Sequence, residues 1–142
     1  MRRVLVAVDG SESALRALDV AAAQARLTPD GRLHLLTVRH PASFYGALEI
    51  YVTEEQMREI ATRQATAVLD AAGERAARSG VQFEVEQLEG EPATVITDRA
   101  EQLGCRSIVM GSHGRGQLGA FMLGSVAQRV VHRATVPVTL VK

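Results

Sequence analysis

Cysteine occurs once, at Cys105, in a chain of 142 residues. A single thiol can form neither an internal disulfide nor a cysteine metal cluster, so the chain suits a reducing compartment and the cytoplasm is the expected location. Long apolar runs are missing too, the longest being a handful of residues, far below the ~20 that a membrane-spanning helix needs. The opening Met1-Arg2-Arg3-Val4-Leu5-Val6-Ala7-Val8 imitates a basic leader before an apolar core. Asp9 interrupts it after five apolar residues, where a secretory signal wants about 7 to 15, so the segment reads better as a buried strand. Acids are absent after Glu101: from Gln102 to Lys142 the formal charges are Arg106, Arg115, Arg129, Arg133 and Lys142. The whole chain is nevertheless neutral, with 16 basic and 16 acidic residues. A cationic end on a neutral protein favours a small anionic ligand over a long polyanion such as DNA, although a solvated basic face explains the charge alone equally well.

What is present describes an ordinary globular chain. Apolar residues make up 46% and charged residues 23%, which excludes disordered and collagen-like classes, and the length fits one domain over residues 1–142. Arg3 to Val8 is a continuous Val/Leu/Ala run ending in Asp9-Gly10, as expected of a strand covered on both faces. From Ser11 or Ser13 to Arg26, Leu15, Leu18, Ala22 and Ala25 recur at helical spacing, and Pro29-Asp30-Gly31 ends the segment. Arg32 to Arg39 is a second strand, and His40 to Val52 reads as a long loop. Thr53-Glu54-Glu55-Gln56 fits a capping box that opens a helix to about Ser79-Gly80. Val81, Phe83 and Val85 alternate with Gln82, Glu84 and Glu86, which predicts a strand with one wetter face near a sheet edge. Pro92 suits the first turn of a helix running to Gly104. Ser107 to Met110 is a short strand, a glycine-rich loop follows, and a helix from about Ser125 to Ala134 leads to a last strand, Pro137 to Val141. Five strands alternating with four helices predict an open α/β fold, a parallel sheet with helices on both faces. Ligands in such sheets lie at the carboxyl ends of strands where the winding reverses, and Asp9 and Gly111 stand at two such ends.

Five of the twelve glycines, Gly111, Gly114, Gly116, Gly119 and Gly124, fall in the connection from the fourth strand to the last helix. Each forfeits extra chain entropy on folding. A phosphate-bearing ligand explains that cost, because glycines let backbone N–H groups converge on phosphate oxygens at a helix N-terminus; a merely flexible surface loop is the alternative. Gly114-Arg115-Gly116-Gln117-Leu118-Gly119 matches the dinucleotide pattern G-x-G-x-x-G, but the acid that pattern wants about 20 residues on is missing. The P-loop pattern fails as well, since Gln117-Leu118 stands where Lys and Ser/Thr belong.

A third spacing is met: Gly111, two residues, Gly114, nine residues, then Gly124-Ser125. With Val6-Ala7-Val8-Asp9-Gly10-Ser11 at one end and Val136-Pro137-Val138-Thr139-Leu140-Val141 at the other, this resembles the ATP-binding branch of the universal stress protein family over essentially the whole chain. The resemblance implies a sheet of order 3-2-1-4-5 with ATP, accompanied by Mg²⁺, across the ends of strands one, two and four. It places Ala7 and Asp9 at the site from strand one and Val38 against adenine through its backbone. Met110, Gly111, Gly114, Gly124, Ser125 and Val126 would hold ribose and phosphates, and Arg115 is a further candidate through its planar fork. Val136 to Val141 would be an edge strand, and an apolar edge invites pairing with a second copy into a homodimer.

Asp9 fits either a ribose hydroxyl, a phosphate-bound Mg²⁺, or a cap on the helix beginning near Ser13. His113 fits either proton transfer or a histidine that hydrogen-bonds the loop. Cys105 fits an inert core thiol. Three functions follow: a dimeric regulator of stress responses whose surface changes with ATP, a slow ATPase or phosphotransfer enzyme, and a dimeric interaction protein in which nucleotide is incidental.

Overall fold

The computed structural model describes residues 2–41, 52–113 and 122–142. Its elements alternate as β1 (Arg2–Ala7), α1 (Glu12–Arg26), β2 (Gly31–Arg39), α2 (Glu54–Arg78), β3 (Gln82–Glu89), α3 (Pro92–Gln102), β4 (Ser107–Gly111), α4 (Ser125–Arg133) and β5 (Val138–Val141). The strands form one parallel sheet in the order β3-β2-β1-β4-β5. This is the expected architecture and order, with element ends displaced by at most two residues except at β3, which runs three residues further, to Glu89. β5 starts at Val138 rather than Pro137, because proline has no N–H for a ladder; its carbonyl still accepts from the Ile108 amide at 2.9 Å.

Strand alternation divides the core. Val4, Val6, Leu33, Leu35 and Val109 face α1 and α2, whereas Leu5, Leu36, Ile108 and Met110 face α3 and α4. Both faces are covered, which is why β1 reads as an uninterrupted apolar run. α1 packs on the sheet through Ala14, Ala17, Ala21, Ala22 and Ala25, all buried, and such small side chains let the helix lie close.

The helices start where local chemistry sets them. Ser11 Oγ accepts from the Ala14 amide at 3.2 Å and opens α1. The capping box at α2 is complete, Gln56 N donating to Thr53 Oγ1 at 3.1 Å and Thr53 N to Gln56 Oε1 at 2.9 Å. α3 carries Pro92 in its first turn and is capped by Glu91, an unusual residue for this position. Glu91 accepts from the Thr94 hydroxyl at 2.6 Å and from the Thr94 and Ala93 amides at 2.8 and 3.3 Å.

The Thr94 hydroxyl above all, helped by those amides and by Arg129 and opposed by partial burial, pulls the Glu91 carboxyl from the ordinary 4.5 down to about 2. A depressed folded value means the cap stabilises fully above the ordinary range and is lost as pH falls from 4.5 through about 2. NMR titration of the Glu91 side-chain carboxyl is expected to show a midpoint near 2, and an ordinary midpoint would show that the cap does not form. Glu91→Ala is expected to cost about 1 kcal/mol in chemical denaturation.

β3 is an edge strand, as its alternation predicts, but its two faces differ from expectation. Val85 on the apolar face is half exposed. Glu86 on the wetter face is instead drawn inward, with Arg99 Nε at 2.8 Å and His34 Nε2 at 2.7 Å from its Oε2. Burial pushes the Glu86 carboxyl up, but the hydrogen bonds from Arg99 and His34 outweigh it and hold the carboxyl below its ordinary value.

Candidate functional site

β1 has β2 on one side and β4 on the other, so the winding reverses between β1 and β4. The helix after β1 packs on one face of the sheet and the helix after β4 on the opposite face. Their departure in opposite directions leaves a crevice at the strand ends. A cavity of about 280 Å³ lies there.

Eight of the ten residues proposed from the sequence line this cavity. Ala7 and Asp9 come from the end of β1, Val38 from the end of β2, and Met110 and Gly111 from the end of β4. Gly124, Ser125 and Val126 come from the start of α4. Gly114 and Arg115 lie outside the described residues.

The lining has two chemical characters. Leu36, Val38, Ile96, Met110 and Ala127 make an apolar wall, while Asp9, Ser11, His113 and Ser125 bring polar groups from the strand-end turns and α4. α4 begins at Gly124 with no side-chain cap and no acidic residue in its first turn. The N–H groups of Ser125, Val126 and Ala127 therefore have no intrahelical acceptor and, among the described residues, no capping oxygen, and all three residues line the cavity. Such an end carries partial positive charge and suits an anion. Among the described residues the lining holds one carboxylate, Asp9, two imidazoles, His40 and His113, and no lysine or arginine.

Asp9 does not cap α1; Ser11 takes that role. Asp9 Oδ1 accepts from the Ser11 amide at 2.9 Å, which holds the β1–α1 turn in place. Gly111 proves to have a packing reason for lacking a side chain. A Cβ there would be driven into Ser13 Oγ and would come within 3.0 Å of the Ala14 amide nitrogen. Across the same approach, buried Ser13 donates from Oγ to the His113 carbonyl at 2.6 Å, joining α1 to the end of β4.

The family model described as "Universal stress protein family" matches residues 1–142. The chain belongs to the universal stress protein family. It is similar to universal stress protein YxiE of Bacillus subtilis, with 36% identity over 148 residues covering 99% of this chain and 98% of the relative. Among solved structures, universal stress protein UspA from Lactobacillus plantarum matches with a TM-score of 0.83 and 26% identity, covering 99% of this chain and 97% of its own. The universal stress protein from Archaeoglobus fulgidus in complex with dAMP matches with a TM-score of 0.71 and 27% identity, covering 100% and 98% of the two chains. That protein binds an adenine nucleotide.

In this universal stress protein the crevice also recruits residues that sequence reasoning did not single out. Ser11 enters from the cap of α1 and Ala14 from its first turn, Pro92 and Ile96 from α3, and His40 from beyond the end of β2. His40 had a legible signal, since it directly follows a strand end in a parallel sheet. Ile96 had none, because helical spacing marks it as buried without showing that its face overhangs the crevice. The His113 ring does hydrogen-bond, as one reading of the sequence expects, with Nδ1 2.6 Å from Ser112 Oγ. Cys105 is buried, and that burial pushes its thiol above the ordinary value, as an inert core residue requires.

Proposed function

We propose that this universal stress protein domain, residues 1–142, binds ATP in the crevice and acts in the cytoplasm as a nucleotide-dependent regulator of stress responses. The observation that carries the reading is the open first turn of α4 beside an apolar wall, within one cavity. A purine needs an apolar slot and a polyphosphate needs converging N–H donors, and the crevice offers both. In this fit the adenine lies against Val38, Leu36 and Ile96, a ribose hydroxyl faces Asp9, and the phosphates face Gly111, Gly124, Ser125 and Val126. Gly114 and Arg115 belong to the same proposal. Mg²⁺ would arrive on the phosphates, in keeping with its preference for substrate oxygens and water over an all-protein cage. The bound dAMP of the Archaeoglobus fulgidus relative supports the choice of an adenine nucleotide.

The dimer belongs to the same proposal. β5 ends the sheet with its outer backbone edge unmatched by any described strand, and pairing it with its copy would satisfy both edges.

The experiment is a calorimetric titration with MgATP, followed by sedimentation of the saturated and free protein. Saturable binding and a mass of two chains are expected. No heat and no thermal shift at saturating MgATP would remove the nucleotide reading, and a single-chain mass at all concentrations would remove the dimer.

A further inference from the structure

We infer that His113 makes nucleotide occupancy of this crevice sensitive to pH, its protonated ring adding a cationic contact for the phosphates. The inference rests on the nucleotide reading above and assigns that site a regulator.

His113 is held at both its backbone and its ring. Its carbonyl accepts from Ser13 Oγ at 2.6 Å, and its Nδ1 lies 2.6 Å from Ser112 Oγ. Ser112 is itself buried and pinned, its amide donating to the Val141 carbonyl at 2.8 Å and its carbonyl accepting from the Gly124 amide at 2.7 Å. His113 thus stands on a fixed base and lines the same cavity as the start of α4.

The partner of Nδ1 matters chemically. A hydroxyl both donates and accepts, so Ser112 keeps its bond to Nδ1 whether the ring is neutral or charged. Protonation therefore leaves the ring in place and adds charge beside the cavity, where Nε2–H is a donor. Among the described residues no lysine or arginine lines the cavity, and His40 is the one other lining group that can carry positive charge. Among the described residues, two other titratable groups line the cavity, Asp9 and His40. Asp9 comes from the β1–α1 turn and His40 from the end of β2, while Glu91, the cap of α3, is bonded to Arg129 of α4. From β5 only exposed Lys142 follows the strand, its carbonyl bound by Arg16. Imidazole is the side chain that ordinarily changes charge between about pH 5 and 8.

The test is calorimetric titration of the whole chain with MgATP from pH 5.5 to 8.5, for the wild type, His113→Gln and His40→Gln. The nucleotide's own titration is common to all three proteins. Wild-type affinity is expected to rise about tenfold more towards low pH than that of His113→Gln, the ratio that one charge-assisted hydrogen bond supplies. His40→Gln is expected to keep the wild-type slope. Equal slopes in wild type and His113→Gln, or a slope lost with His40→Gln instead, would each overturn the assignment while leaving nucleotide binding intact. Absence of binding at every pH would overturn both.

Discussion

Alanine at position 31 is expected to lower the thermal midpoint by roughly 10 °C, whereas alanine at position 73 is expected to raise it slightly. The two glycines look alike in the sequence and differ in what surrounds them. Gly31 opens β2 directly beneath the end of α1, and a Cβ there would be driven into the Ala25 carbonyl oxygen, with Thr28 Oγ1 at 2.6 Å and the Ala25 carbonyl carbon at 2.7 Å. That carbonyl is backbone and already accepts from the Thr28 amide and hydroxyl, so it has no rotamer by which to yield. The cost falls at the upper end of the overpacking range, about 3 kcal/mol. Gly73 lies inside α2, and the nearest atom to an added Cβ is the far end of the Phe83 ring at 3.5 Å, an ordinary contact. There alanine restores helix propensity, about 0.5–1 kcal/mol. Thermal melts of the two single variants decide the matter, and equal effects would show that the close approach of α1 to β2 is wrong.

Ser125→Pro is expected to weaken MgATP binding by about ten- to a hundredfold while leaving the protein folded. Ser125 is the first residue of α4, where proline is tolerated because that N–H has no helical acceptor. Gly124 before it is already extended, with φ −61° and ψ 152°, as a residue preceding proline must be. The substitution therefore removes one cavity-facing N–H and a hydroxyl without breaking the helix. Ser125→Ala removes only the hydroxyl and is expected to lose less. Calorimetry gives the affinities and a thermal melt shows that the fold survives. Full affinity in Ser125→Pro would mean that phosphates do not sit on the start of α4.

Much of the fold was legible because its signals are local. The apolar run of β1, the Thr53–Gln56 box and Pro92 each act within a few residues, so short windows carry them. The edge position of β3 was legible from its alternation, but not the inward pull on Glu86, which comes from Arg99 on α3 and His34 on β2. The glycine spacing marked the right connection for a partly different reason. Gly111 lacks a side chain because α1 lies against it, and only its neighbours across the fold reveal that. Ile96 reached the cavity wall unannounced, since a helix's period shows which face is buried but not what it is buried over.

The sequence alone determined the alternation of strands and helices, the points where the helices begin, and the crowding of glycine ahead of α4. These follow from backbone sterics, capping chemistry and hydrophobic period, all satisfied within one stretch of chain. Only the tertiary structure decided that Asp9, Val38, Met110 and Ser125 share one cavity and that Ser13 bonds the His113 carbonyl. Strand order is the reason: it is chosen by burying two faces of one sheet at once, a condition that involves every element together.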